Sequence, residues 1–184
     1  ESRQKTRSLW RALGLEAAPE AARVASRDEV RLRVRLLADG DPFRAALADT
    51  LAALGIECSD DAPVCVRAGT ATPPAGLPAV AIGDAAYRLL AKHGSVESCP
   101  AEHGRVLHCT RDGTGERFTA ARYATHRLAR APANWQLLAS EDEGGPVALQ
   151  AGSTVCLLYR PDSLLCDDTA RQLLREAVAR LGAA

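Results

Sequence analysis

Methionine is absent from this chain, aromatic residues make up only 4% of its 184 positions, and lysine occurs only at Lys5 and Lys92. With so few rings, a core has to be built from Leu, Val and Ala. The 47% hydrophobic content is nonetheless enough for one well-buried domain. Charge of one sign is missing too. Twenty-three basic residues face twenty-three acidic ones, which argues against the broad attraction that draws proteins to nucleic acid or to anionic membranes. No apolar run approaches the roughly 18–20 residues that span a bilayer, so no transmembrane segment is expected. The sequence contains no P-loop, no Gly-x-Gly-x-x-Gly, no Gly-x-Ser-x-Gly and no His-Glu-x-x-His. Cys-x-x-Cys and His-x-x-x-His spacings are lacking as well. No catalytic residue, cofactor or metal site is therefore assigned. A chain with no methionine and Glu1 first is expected to be a processed protein or an excised fragment.

Cysteine, by contrast, is present six times, in three local pairs: Cys58 and Cys65, Cys99 and Cys109, Cys156 and Cys166. Each pair brackets a turn-like composition: "CSDDAPVC", "CPAEHGRVLHC" and "CLLYRPDSLLC". Local pairing and an even count point to disulfides in an oxidising compartment. Buried free thiols and metal ligation are the alternatives. On the first reading the chain is extracytoplasmic, whether secreted, periplasmic or lumenal; on the second it is cytoplasmic.

The pattern along the chain divides it into an arm over residues 1–28 and a single globular domain over 29–184. The arm joins a basic segment with Leu9, Trp10 and Leu13 to an Ala-rich connector broken by Pro19. "EVRLRVRLLA" then alternates as a half-buried strand, with Arg31, Arg33 and Arg35 on the open face. Guanidinium forks bind carboxylates and phosphates, so these three residues and Trp10 are the partner-contact candidates.

Helices are expected at about 42–54, 84–93 and 168–181. The first has Asp41 as cap, Pro42 at the first position and Gly55 beyond the end. The second has Asp84 as cap and Gly94 as terminator, and the third follows an Asp cap and carries a Leu-rich face. Strands are expected at 63–68, 78–82, 105–110, 135–139, 147–150 and 154–159, whereas 116–131 reads equally as helix or strand. The sum is an α+β domain with a mixed or antiparallel sheet.

The stretch "RVRLLADGDPFRAALADTLAALGIE" resembles the opening of a two-component response-regulator receiver domain. In that family the first strand ends in paired acids that bind magnesium, and a long helix follows. The resemblance implies that Asp39 is the first acid and that Asp84, after "PAVAIG", stands at the phospho-acceptor position. No lysine follows Lys92, so such a receiver would be degenerate. The function expected first is a non-enzymatic binding or assembly module, stiffened by disulfides and engaging a protein partner. A degenerate receiver-like signalling domain, or a small enzyme using a Cys or His within 99–109, are the alternatives.

Overall fold

The computed structural model describes residues 31–72, 74, 76–93 and 96–183. The arm expected over 1–28, with Trp10, lies outside the described residues, as does Gly94. The described strands are β1 (Leu32–Leu37), β2 (Ile56–Cys58), β3 (Val64–Arg67), β4 (Ala79–Ile82), β5 (Val96–Arg111), β6 (Arg117–Leu128), β7 (Gln136–Glu141), β8 (Pro146–Ala151) and β9 (Thr154–Leu157). The described helices are α1 (Arg44–Ala53), α2 (Asp84–Ala91) and α3 (Asp168–Gly182). All nine strands join one sheet in the order β2-β1-β3-β4-β9-β8-β7-β5-β6.

The sheet has a parallel half and an antiparallel half. β2, β1, β3, β4 and β9 pair in parallel, whereas β9, β8, β7, β5 and β6 are joined antiparallel. The domain is therefore of the α/β class, and the α+β expectation is corrected. The physical reason is visible in β4, "AVAI", whose four residues are all buried. A strand covered on both faces is continuously apolar rather than alternating, as parallel strands between helical layers are.

Two cores result. On one face α1 and α3 pack over Val34, Val64, Val66, Val80 and Ile82, with Leu47, Leu51, Leu174 and Val178 from the helices. On the other, α2 lays Ala85, Ala86, Tyr87 and Leu90 over Ala81, Cys156 and Leu158.

Local chemistry explains the helix ends. Asp167 caps α3 by accepting from the Ala170 amide at 2.9 Å. Its other oxygen accepts from Thr119 N at 2.6 Å, tying the helix start to β6. Leaving α1, Gly55 adopts φ 72° and its amide reaches back to Ala52 O. The start of α1 differs from expectation. The helix begins at Arg44, its cap position is Phe43, and Asp41 serves another purpose described below.

The ambiguous stretch 116–131 forms β6, since its backbone pairs with β5 from Val96↔Leu128 to Thr110↔Arg117. The same pairing overturns the turn expected between Cys99 and Cys109 in "CPAEHGRVLHC". This stretch lies inside the continuous strand β5, where Gly104, at φ 73°, sits at a register shift between His103 and Arg105. It is a bulge and not a turn.

All six cysteines are free thiols, so the disulfide expectation fails, for three geometric reasons. Cys99 and Cys109 lie ten residues apart along one strand, a span of about 33 Å, whereas a disulfide needs Cα atoms within about 7 Å. Cys58 on β2 and Cys65 on β3 are separated by the intervening β1. Cys156 and Cys166 belong to cores on opposite faces of the sheet. The expectation of an oxidising compartment rested on those bonds and is left without that support.

Candidate functional site at the strand-to-helix elbow

The parallel strands β1, β3, β4 and β9 deliver their carboxyl ends to one edge of the sheet, the edge at which open α/β sheets bind ligands. Two loops meet there closely. Gly69, after β3, sits so near the β1–α1 loop that a Cβ on it would stand 2.5 Å from the Asp39 carbonyl oxygen. Thr70 donates to that carbonyl from both its amide and its hydroxyl.

Between β4 and α2 the chain turns from strand to helix within a single residue, Gly83, at φ 55° and ψ −125°. Its amide still donates to Leu157 O of β9, while its carbonyl already accepts from Ala86 N and Tyr87 N. Side chains rarely tolerate this backbone. The same strained strand-to-helix turn displays the nucleophile of α/β hydrolases at the top of the sheet.

Here the elbow carries no side chain. A Cβ added to Gly83 would lie 3.2 Å from Cδ of Arg160, just beyond β9. Arg160 forks onto Asp162, with Nε to Oδ1 and Nη2 to Oδ2 both at 2.9 Å, and its Nη1 donates to Asp41 Oδ2 at 2.6 Å. The three side chains are 8%, 3% and 2% exposed. Asp41 Oδ1 accepts from Phe43 N at 2.8 Å, and the Arg160 guanidinium lies 5.0 Å from the centre of the Phe43 ring. Burial alone would lower the Arg160 pKa, but Asp162 and Asp41 outweigh it and raise the value above the ordinary range.

A cavity of about 390 Å³ opens beside this group, lined by Phe43, Ala46, Tyr123, Ser163, Leu164 and Leu165 together with Arg160 and Asp162. Its walls are mostly apolar. Phe43 and Tyr123 stack tilted at 5.5 Å, and Leu164 at the rim is 76% exposed.

No protein-family model matches the sequence, and no curated protein does either. Solved structures do match. A protein from Thermoplasma acidophilum, described as one of the subunits of GMP synthase, superposes with a TM-score of 0.66 at 13% identity, covering 84% of this chain and 96% of its own. A glutamine amidotransferase from Thermotoga maritima gives 0.60 at 10% identity, covering 85% and 100%. Another glutamine amidotransferase gives 0.60 at 14%, covering 82% and 99%. The fold is that of the glutamine amidotransferases.

Finding that fold corrects the first functional expectation. The architecture is shared with proteins described as amidotransferases and a synthase subunit, not with a disulfide-stiffened extracytoplasmic module. At the elbow, the Arg160 guanidinium stands against Gly83 and is held there by Asp162 and Asp41. Gly83 offers no nucleophile. Arg160 keeps its proton, its pKa being raised by Asp162 and Asp41, and offers no lone pair to accept another. Asp162 fixes the plane of the Arg160 guanidinium through the two parallel hydrogen bonds it accepts.

The residues singled out from sequence fall elsewhere. Asp39 is exposed beside the β1–β3 crevice and Asp84 is exposed at the start of α2. Asp41 is engaged with Arg160, and among the described residues no three His, Cys, Asp or Glu side chains converge to hold a metal ion. The receiver's magnesium pocket is thus not built.

In the 99–109 stretch, burial and the nearby acids Glu141 and Asp142 push the Cys109 thiol up to about 12, the opposite of an activated thiol. His103 and His108 are exposed on β5. Gly104 from this stretch lies against Tyr123 and Leu165, two residues of the pocket wall. Arg31, Arg33 and Arg35 lie at and along β1, away from the elbow. Arg160, Asp162, Phe43 and Tyr123 escaped the sequence reading. The available signal was "YRPDS", a polar cluster directly after an apolar strand, which was absorbed into the supposed turn between Cys156 and Cys166.

Proposed function

We propose that this chain is an amidotransferase-type domain whose elbow pocket positions a small amide-bearing ligand, with no covalent step at the elbow. The observation that carries this reading is the guanidinium of Arg160 held against Gly83 by Asp162 and Asp41. One cation against two carboxylates gives the pocket floor a net charge of about −1, which disfavours an anionic ligand in a site of low dielectric. A primary amide suits the floor better. Its N–H groups can donate to carboxylate lone pairs, and its oxygen can accept from the guanidinium N–H groups, three of which out of five are engaged. The aromatic and Leu walls favour an apolar stem. The neighbours named as glutamine amidotransferases support the amide as ligand class. We place the protein partner expected from the sequence at the rim of Leu164, Leu165 and Phe43, since one neighbour is described as a subunit.

The test compares benzamide, benzoate and benzylamine by calorimetric titration. Benzamide is expected to bind at least about tenfold more tightly than benzoate. Ala46→Trp, which fills the pocket from the exposed side of α1, is expected to abolish benzamide binding while leaving the melting temperature unchanged. Equal binding of benzoate, or benzamide binding that survives Ala46→Trp, would refute the assignment. Ammonia release from glutamine by the purified chain would refute the absence of a covalent step.

A further inference from the structure

Two arginines on neighbouring strands have no ion-pair partner among the described residues. Arg35 on β1 is in register with Cys65, and Arg67, the last residue of β3, is in register with Leu37. Residues two apart on a strand share a face, so Arg35 and Arg67 project from the same side of the sheet, one diagonal step or about 8 Å apart at Cα. Both guanidinium groups act on the Cys65 thiol between them, pulling down a pKa that burial, the larger effect, raises. Yet the Nε of each is buried with no hydrogen-bond partner, and neither arginine forms an ion pair among the described residues.

The other half-buried and buried arginines among the described residues all find partners. Arg33, on the same face, pairs with Asp61 and Ser59. Arg111 pairs with Glu176, Arg122 with Glu102, Arg160 with Asp162 and Asp41, and Arg175 donates to Leu54 O. Two like charges brought together, each with an uncompensated buried donor, are an arrangement that a folded chain avoids unless something else satisfies it.

Their place in the topology supplies the occupant. From β1 the chain crosses first to β2 on one side and then to β3 on the other, so the strand order reverses between β1 and β3. Ligands of open α/β sheets bind at such a switch point, near the carboxyl ends of the strands, and Arg67 ends β3 there. Paired guanidinium forks match the several negative oxygens of a phosphate group better than a lone carboxylate. We infer that Arg35 and Arg67 form a binding site for a phosphate-bearing small ligand at the β1–β3 switch point. The site is separate from the elbow pocket and does not depend on the function proposed there.

Inorganic pyrophosphate is the probe, titrated calorimetrically into the 184-residue chain at low and at raised potassium chloride. Saturable one-site binding that weakens with salt and raises the melting temperature is expected. Arg35→Ala and Arg67→Ala should each weaken it by roughly tenfold to a hundredfold, while Arg33→Ala, whose side chain is already paired, changes it little. Without pyrophosphate, the Arg35→Ala and Arg67→Ala proteins should melt no lower than the parent, because each substitution removes a like-charge contact. Melting well below the parent would mark the arginines as structural and overturn the site. So would absent saturation, binding that persists when both arginines are replaced, or a tetraglutamate peptide that binds where pyrophosphate does not.

Discussion

Replacing Arg160 by methionine removes the one cation that Asp41 and Asp162 share. Both carboxylates are almost wholly buried, at 2% and 3% exposure, so solvent screening does little to soften the change. Breaking a buried ion pair from one side costs about 3–5 kcal/mol. For a domain of this size, where 1 kcal/mol moves the melting temperature by roughly 2–4 °C, the expected drop is roughly 6–20 °C. Thermal melting followed by circular dichroism, together with urea unfolding, measures it. Adding Asp41→Asn and Asp162→Asn to Arg160→Met removes the stranded charges and is expected to recover most of the loss, since uncharged replacements of buried ion pairs are often neutral. A loss below about 1 kcal/mol would show that this group is solvated and that the reasoning built on its burial is wrong.

Two further outcomes follow from the same structure. Gly83→Ala is expected to destabilise the protein by about 1–3 kcal/mol, because the new Cβ meets both a positive φ and the fixed Arg160 side chain; a neutral result in urea unfolding would mean that the elbow is not strained. Burial pushes the thiols of Cys109 and Cys156 up to about 12 and that of Cys166 to about 11. These thiols stay protonated in the folded state while the unfolded chain ionises. Stability from this source is complete below pH 9 and is lost as the pH rises from 9 toward 12, so the melting temperature should begin to fall above pH 9. A melting temperature that stays flat to pH 11 would contradict the burial of these groups.

Much of the fold was legible where a local rule has one answer. The alternation of "RLRVRLL" reads as a strand because side chains of a strand alternate between faces, and it forms β1. The third helix is visible in the sequence because its Asp cap and its buried row of Leu173, Leu174, Ala177, Val178 and Leu181 agree. The reading failed where two local patterns compete. Residues 116–131 carry both helix-forming Ala and Arg and strand-forming Thr, Phe and Tyr, and only pairing with β5 decides for β6. In "CPAEHGRVLHC", Pro100 and Gly104 signal a turn, but the partner strand keeps the backbone extended and converts the glycine to a bulge.

The sequence alone determined the three helical patterns, the strand at 32–37 and the lack of a long apolar run; none of the described helices is long and apolar enough to cross a membrane. Tertiary structure decided the strand order, the state of the thiols and the site. Arg160 lies 119 positions from Asp41 and 77 from Gly83, so no window of sequence contains the elbow group. It exists because β4 and β9 are parallel neighbours whose ends bring Gly83 and Arg160 together. Such long-range pairing is set by burial of the whole sheet between its helices and not by the propensity of any one segment.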